Sequence, residues 1–266
     1  MKAGSATPPP EDLRKTYPAL VEGRDRAGRT ILVCEHASAA MPAPWGTLGL
    51  PEAQRLAHIA WDPGALGLAR GLAARLEATL VHAPVSRLIY DCNRPPDLAG
   101  AMPARSEIHD IPGNGGIDAA ERLRRTAAVY LPFHQGLQAL VAERLALGRA
   151  PVIITIHSFT PVYFGRPREL EFGVIHDRDT TLATLILSEA RARTPLVSDL
   201  NVPYSAADGV AHMLAVQATP YNLPNAMLEL RNDLIATPAA QEAMAAALAP
   251  VLTAALARLG GEGGPR

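Results

Sequence analysis

The stretch Pro151-Val-Ile-Ile-Thr-Ile-His157-Ser-Phe-Thr-Pro161 anchors the reading of the chain. Residues Val152 to Ile156 are β-branched and only Thr155 is polar, the composition of a strand buried on both faces. The run stops at a histidine, and Ser158, Thr160 and Pro161 then signal a loop. Open α/β sheets gather their chemistry where buried parallel strands end. His157 is therefore the first candidate for a functional side chain.

Outward from this strand the pattern repeats. Thr30-Ile-Leu-Val-Cys34 reads as a second buried strand, ending in Glu35-His36-Ala-Ser38. Leu170 to Ile175 reads as a strand ending at His176-Asp177, where His176 is expected at the pocket rim. Asn225-Ala-Met-Leu-Glu229-Leu-Arg231 reads as the last strand, with a carboxylate inside an apolar run. Thr79 to Val81 and Arg87 to Tyr90 are also expected as strands, the second closed by Asp91-Cys-Asn93-Arg94-Pro-Pro96. Helical periods fill the intervals at about 63–78, 117–147, 180–192, 210–217 and 238–259, with Pro132 an expected interruption. Residues 97–116 lack any period and contain Pro103, Pro112 and Gly113-Asn-Gly-Gly116, the mark of a long functional or mobile loop. Strands alternating with helices imply an α/β three-layer sandwich around a mainly parallel, mixed sheet. The Pro-rich residues 1–28 are expected to be a flexible lead-in, residues 29–260 a single domain, and the Gly-rich tail frayed.

Composition narrows the function. A formal net charge of −1 over 266 residues gives no electrostatic footprint for nucleic acid or an anionic membrane. Two cysteines, Cys34 and Cys92, without a CxxC, provide neither a disulfide framework nor a thiolate zinc site. A metal would have to be held by histidine and carboxylate. The start of the chain lacks the apolar core of a signal peptide, and no long uninterrupted apolar window occurs, so a cytoplasmic protein is expected.

His36, Asp62, His157 and Glu229 each end or follow a hydrophobic segment. Two imidazoles and a carboxylate form a common ligand set for catalytic zinc, and a further carboxylate can act as general base. No HExxH motif occurs, and each residue has an ordinary explanation as well. A strand-end histidine is usually structural. Asp62, in Trp61-Asp62-Pro63-Gly64, is well placed as a helix N-cap. Glu229 is harder to explain away, because burying an unpaired carboxylate is costly. Arg87, Arg94 and Arg231 lie at strand ends near these acids and could grip a substrate carboxylate bidentately, or simply pair with Asp91, Asp233 or Glu229. Asn93 and Asn114 could donate amides to an oxyanion, although Asn114 also suits a turn. His58 could support the site from behind. His82, His109, His134 and His212 are expected on the surface or in the core.

Five blocks carry a resemblance: Ile31-Leu-Val-Cys-Glu-His36-Ala-Ser38, Trp61-Asp62-Pro-Gly64, Ser86-Arg87-Leu-Ile-Tyr-Asp-Cys-Asn93-Arg94-Pro95, Thr155-Ile-His157-Ser158-Phe-Thr-Pro161 and Leu228-Glu229-Leu-Arg231-Asn-Asp-Leu234. In this order they resemble the N-formylglutamate amidohydrolase family, from about residue 29 to 258. The resemblance implies a zinc-dependent amidohydrolase on a zinc-exopeptidase-like fold. A more distant similarity to zinc-dependent cell-wall amidases has the same order of groups. It implies His36, Asp62 and His157 as ligands of one Zn²⁺, with Glu35 an adjacent alternative to Asp62, and Glu229 as general base. Arg87, Asn93, Arg94 and Arg231 would then hold a small acidic substrate such as an N-formyl or N-acyl amino acid. The alternatives are a peptidoglycan or peptide amidase on the same fold, and a metal-free protein that binds an acidic ligand.

Overall fold

A computed structural model describes residues 15–205 and 208–262. Residues 1–14, most of the Gly-rich tail and two residues of the loop after Tyr204 lie outside the described residues, so the expectations for the Pro-rich start and the frayed end are not addressed there. The centre is a seven-stranded sheet. Its strands in chain order are β1 (Leu20–Glu22), β2 (Thr30–Cys34), β3 (Thr79–His82), β4 (Val152–Phe159), β5 (Phe172–Ile175), β6 (Ser198–Leu200) and β7 (Asn225–Arg231). In space they run β1-β3-β2-β4-β7-β5-β6. Strands β3, β2, β4 and β7 are mutually parallel, and β1 and the β5–β6 pair run against them. The sheet is thus mixed and mainly parallel, as the alternating pattern implies.

Both faces are covered. On one face, α1 (Ala65–Arg75), α4 (Thr181–Arg193) and α6 (Pro238–Glu262) pack over Leu32, Leu80, Ile154, Val174 and Leu228. On the other, Ile31, Val33, Val81, Ile153 and Met227 cluster with Ala128 and Val129, which follow α2 (Ala119–Arg125), and with residues of α3 (Leu131–Ala146), α5 (His212–Gln217) and the segment Leu88–Tyr90. β2 and β4 are buried along their whole length, which explains why their sequences show continuous apolar runs rather than alternation. The span Pro238–Gly260 of α6 is long and apolar enough to cross a membrane. Here its Leu248, Val251, Leu252 and Ala255 are fully buried in the core.

Four expectations are corrected. Residues 15–28 are not a loose lead-in: the Tyr17 amide donates to Ala128 O at 2.7 Å, and Leu20–Glu22 forms the antiparallel edge strand beside β3. Arg87 to Tyr90 is a turn. The Ser86 hydroxyl donates to Ala60 O at 2.7 Å and accepts the Leu88 amide at 3.2 Å, closing the chain locally. Leu88, Ile89 and Tyr90 are at most 1% exposed, so a turn threaded through the core shows the same apolar run as a strand. Pro132 does not break the long helix. A π-helical segment, Thr126–Tyr130, joins α2 to α3 and places Pro132 in the first turn of α3, where its missing N–H is tolerated. Finally, β5 is antiparallel to β7. His176 therefore lies at the opposite sheet edge from His157, bonded to Asn201, and does not reach the pocket rim.

Candidate metal and active site

Three chain segments are drawn together by one backbone bond and two bonds between side chain and backbone. The Asp62 amide donates to His36 O at 2.9 Å, which fixes the 61–64 turn beside the end of β2. The Ser158 amide donates to Asp62 Oδ2 at 3.2 Å, and the Ser158 hydroxyl donates to Pro63 O at 2.9 Å, tying the same turn to β4. Gly64 has φ 82°, and a Cβ there would collide with the Ile235 carbonyl, so the turn needs glycine. Asp62 is not an N-cap: α1 begins after Gly64 with no side-chain cap, and the Asp62 carboxylate faces the imidazoles instead.

His36 Nδ1, His157 Nδ1 and Asp62 Oδ2 form a tight triangle. The edges are 3.1 Å between the nitrogens, 3.2 Å from His36 Nδ1 to Asp62 Oδ2 and 2.9 Å from His157 Nδ1 to Asp62 Oδ2. Ligands of a tetrahedral zinc with bonds near 2.0 Å stand roughly 3.3 Å apart. All three residues are buried. The far side of each ring is held too. His36 Nε2–H donates to Asp91 Oδ1 at 2.7 Å. Glu35 Oε2 lies 3.1 Å from His157 Nε2, close in distance but not aligned as a hydrogen bond. A carboxylate behind each Nε2 favours the proton there and turns the Nδ1 lone pair inward. Three lone-pair atoms this close repel one another unless a proton or a cation lies among them, so the donor set fits a metal ion. Carboxylates oriented behind histidines are the usual outer support of a metal ligand. Glu35, the adjacent alternative, sits behind His157 while Asp62 occupies the triangle.

The electrostatics agree. Burial and Arg87 push the His36 pKa down, but Asp91 and Asp62 outweigh them and it lies above the ordinary value. Burial likewise lowers His157, and Glu35 and Asp62 overcome it to hold the pKa well above the usual imidazole range. Asp62 and Asp91 are both held low: burial would raise them, but His36 and His157 outweigh it for Asp62, and Arg87 and His36 for Asp91. The field inside the triangle therefore favours positive charge.

Glu229 stands beside the triangle, because β7 pairs with β4 in the register Glu229 to His157. It is 5% exposed, and its Oε2 has no hydrogen-bond partner among the described residues. Burial is the main cause that raises its pKa to about 7, with His157 opposing and Asp62 adding to the rise. A carboxyl poised near neutrality at the edge of a cavity can take and return a proton.

A cavity of about 690 Å³ opens onto this group, and its walls include His36, Asp62, Arg87, Asn93, Arg94, His157 and Glu229. Arg87 bridges Asp91 Oδ2 at 2.5 Å and Asp62 Oδ1 at 3.4 Å. The turn at Arg87–Tyr90 makes this possible, since four residues of extended strand would separate Arg87 from Asp91 by about 13 Å. Arg94 donates to Gly209 O, and Asn93 is spent within the protein: its Nδ2 donates to Val210 O and its Oδ1 accepts the Met213 amide at 2.9 Å. Asn93 thus fastens the 208–213 segment to the site.

Arg231 does not reach the cavity. It pairs with Asp233 at 2.9 Å and Glu171 at 3.5 Å and donates to the carbonyls of Arg168 and Glu169, which engage its guanidinium away from the cavity lining. Asn114 is also elsewhere, donating to Leu88 O and Pro103 O and accepting from Arg125 as buried loop support. Sequence reasoning did not single out Arg168, Tyr163, Tyr204 and Glu107, which line the cavity, or the supporting role of Asp91. Asp91 carried a signal, because it precedes Asn93-Arg94 in a motif block. The others come from hairpins and loops with no periodic pattern.

A model of the N-formylglutamate amidohydrolase family matches residues 28–236. A gene product of Agrobacterium tumefaciens of known structure is 49% identical, with a TM-score of 0.89 over 91% of this chain and 96% of that one. The N-formylglutamate amidohydrolase of Ralstonia eutropha JMP134 is 23% identical, with a TM-score of 0.59 over 92% of this chain and 98% of its own; at that identity the likeness concerns the fold alone. No curated protein matches the chain. The chain is a hydrolase of amide bonds. It belongs to the N-formylglutamate amidohydrolase family, in agreement with the resemblance carried by the five motif blocks.

Proposed function

We propose that this chain hydrolyses the amide of an N-formyl or N-acyl amino acid, N-formyl-L-glutamate being one candidate, and that it does so as a zinc enzyme. The observation that carries the reading is the triangle of His36 Nδ1, His157 Nδ1 and Asp62 Oδ2 with carboxylates behind both rings. These three residues would hold the metal. When bound, a zinc ion supplies a Lewis acid for the amide carbonyl and makes water more acidic.

Glu229 is the general base in this reading. Its carboxylate takes the proton of the attacking water and returns it to the leaving nitrogen, a role that suits a pKa near 7 and an oxygen without a hydrogen-bond partner among the described residues. Asp91 and Glu35 keep the imidazoles oriented. Arg87, held by Asp91 and Asp62, presents positive charge to the cavity where oxyanion charge develops. Arg94 is placed to attract an acidic substrate. Asn93 acts by holding the 208–213 wall and not by touching substrate, since both ends of its amide are engaged.

The test is steady-state turnover of a panel of N-formyl and N-acyl amino acids, with zinc added and after chelation. Release of free amino acid that chelation abolishes and zinc restores is the expected result. Activity indifferent to chelation would remove the metal from the account, and no turnover of any N-acyl amino acid would remove the substrate class.

A further inference from the structure

Among the described residues, four guanidinium groups line the cavity wall, and they are not equivalent. Arg87 is in ion pairs with Asp62 and Asp91. Arg105 pairs with Asp110 at 2.9 Å. Arg94 donates to Gly209 O and feels the charges of Asp91 and Asp208. Arg168 makes no ion pair with any described residue. It is held by aromatic rings instead: its guanidinium carbon lies 4.3 Å from the centre of Tyr163, 5.1 Å from Tyr204 and 5.5 Å from Phe159. Rings fix a guanidinium without neutralising it.

The remaining hydrogen-bonding capacity is specific. Arg168 Nη1 donates to the Tyr204 hydroxyl oxygen at 3.2 Å. That bond uses one of the five N–H donors of the side chain. The Tyr204 hydroxyl accepts it, so its own proton remains to be donated. The backbone is anchored as well, with the Arg168 amide donating to Pro161 O at 2.8 Å and the Arg168 carbonyl accepting from Arg231 at 3.2 Å. The short hairpin Val162–Tyr163 with Arg166–Pro167 carries the residue to the cavity wall. A fixed cation with a free fork of donors, a free phenol proton beside it and no acid of its own matches a planar anion.

We infer that Arg168 and Tyr204, framed by Tyr163 and Phe159, form the subsite that binds the carboxylate of the substrate. This rests on the reading of the substrate as an N-acyl amino acid. Arg168 supplies two parallel N–H bonds and the charge, Tyr204 supplies a third bond, and the ring faces take the apolar part of the amino acid. Arg231 has no part in it, and Arg87 belongs to the reacting end of the cavity.

The experiment is a calorimetric titration of zinc-supplemented protein in a Glu229→Gln background, where the probe is not consumed. The probes are N-formyl-L-leucine and N-formyl-L-leucinamide, which differ only in the carboxylate. With Arg168 present, the acid should bind about ten- to a hundredfold more tightly than the amide. Arg168→Gln should bring the two probes to within about threefold by weakening the acid alone, Arg168→Lys should keep part of the preference by retaining charge without the fork, and Tyr204→Phe should weaken the acid selectively by a smaller factor. A preference that survives Arg168→Gln overturns the assignment and moves it to Arg94. Equal weakening of both probes, equal affinity of both, or no binding of either also overturns it. Turnover by the protein with Glu229 intact is read separately, so failure of the amidohydrolase reading would show there and not in the acid-to-amide ratio.

Discussion

The floor and the rim of the cavity are built in opposite ways. The floor is carried by the central sheet: His36 follows β2, His157 and Glu229 face each other across β4 and β7, and Asp62 is tied to His36 through its amide and to β4 through its carboxylate. Each imidazole has an acid behind it. The rim is carried by two hairpins, Arg105–Ser106 with His109–Asp110 and Val162–Tyr163 with Arg166–Pro167. Their turns contain residues with positive φ that are not glycine, Glu107 at 52° and Phe164 at 47°. One carboxylate joins them, for Glu107 meets His58 Nε2 at 2.9 Å and accepts the Phe164 amide at 2.8 Å. A sheet holds reacting groups to fractions of an ångström, whereas hairpin tips can be rebuilt without disturbing it. In the proposed reading this difference separates chemistry from selection, the reaction being set by the floor and the substrate by the rim.

The largest effect should come from the floor. His157→Ala removes one corner of the triangle and should leave the protein without bound metal and at least about a thousandfold less active, as read by elemental analysis and turnover together. Full metal content in that variant would break the floor as described. Next, Glu229→Gln should retain metal and lower kcat by about 10²- to 10⁴-fold. The pH dependence follows from the same residue. The base must be ionised to accept a proton, and its pKa is raised to about 7, so kcat falls as pH falls through that value and below. A bound cation, adding positive charge, would move this limb to lower pH. The Glu229→Gln variant should lose the limb, and a pH profile of both proteins checks this.

Asp91→Asn and Glu35→Gln test the support behind the rings. Each should weaken metal affinity about ten- to a hundredfold while leaving the fold intact, measured by competition with a chelator. The smallest effect belongs to the rim. Glu107→Ala releases both hairpin tips and should raise KM severalfold with kcat nearly unchanged, in steady-state kinetics. A fall in kcat as large as that of Glu229→Gln would show that floor and rim are not separable.

Legibility in the sequence divides along the same line. His36, His157 and Glu229 are legible because each sits in or just after a mainly apolar run, where a polar side chain needs a reason to be buried. Asp62 was visible as a turn residue, but its capping explanation competed until the turn was seen stitched to β2 and β4. The central strands were legible for the same reason, their burial on both faces. Direction is not: a strand of four residues such as β5 reads alike either way, so the sequence does not show that His176 lies at the far end of the sheet. The turn at Arg87–Tyr90 mimicked a strand because both are apolar when buried. Arg231 was ambiguous until Glu171, sixty residues earlier, was found beside it. Arg168 left no local trace, because Phe159, Tyr163 and Tyr204 reach it from separate segments and cation–ring contacts have no period.

In the proposed reading, three inward-facing atoms hold one metal ion. A crystal of zinc-supplemented protein, measured at the zinc absorption edge, tests it most directly. The account predicts a single anomalous peak bonded to His36 Nδ1, Asp62 Oδ2 and His157 Nδ1, with Glu35 outside bonding distance. A peak held by Glu35 in place of Asp62, or no peak within reach of these residues, would contradict it.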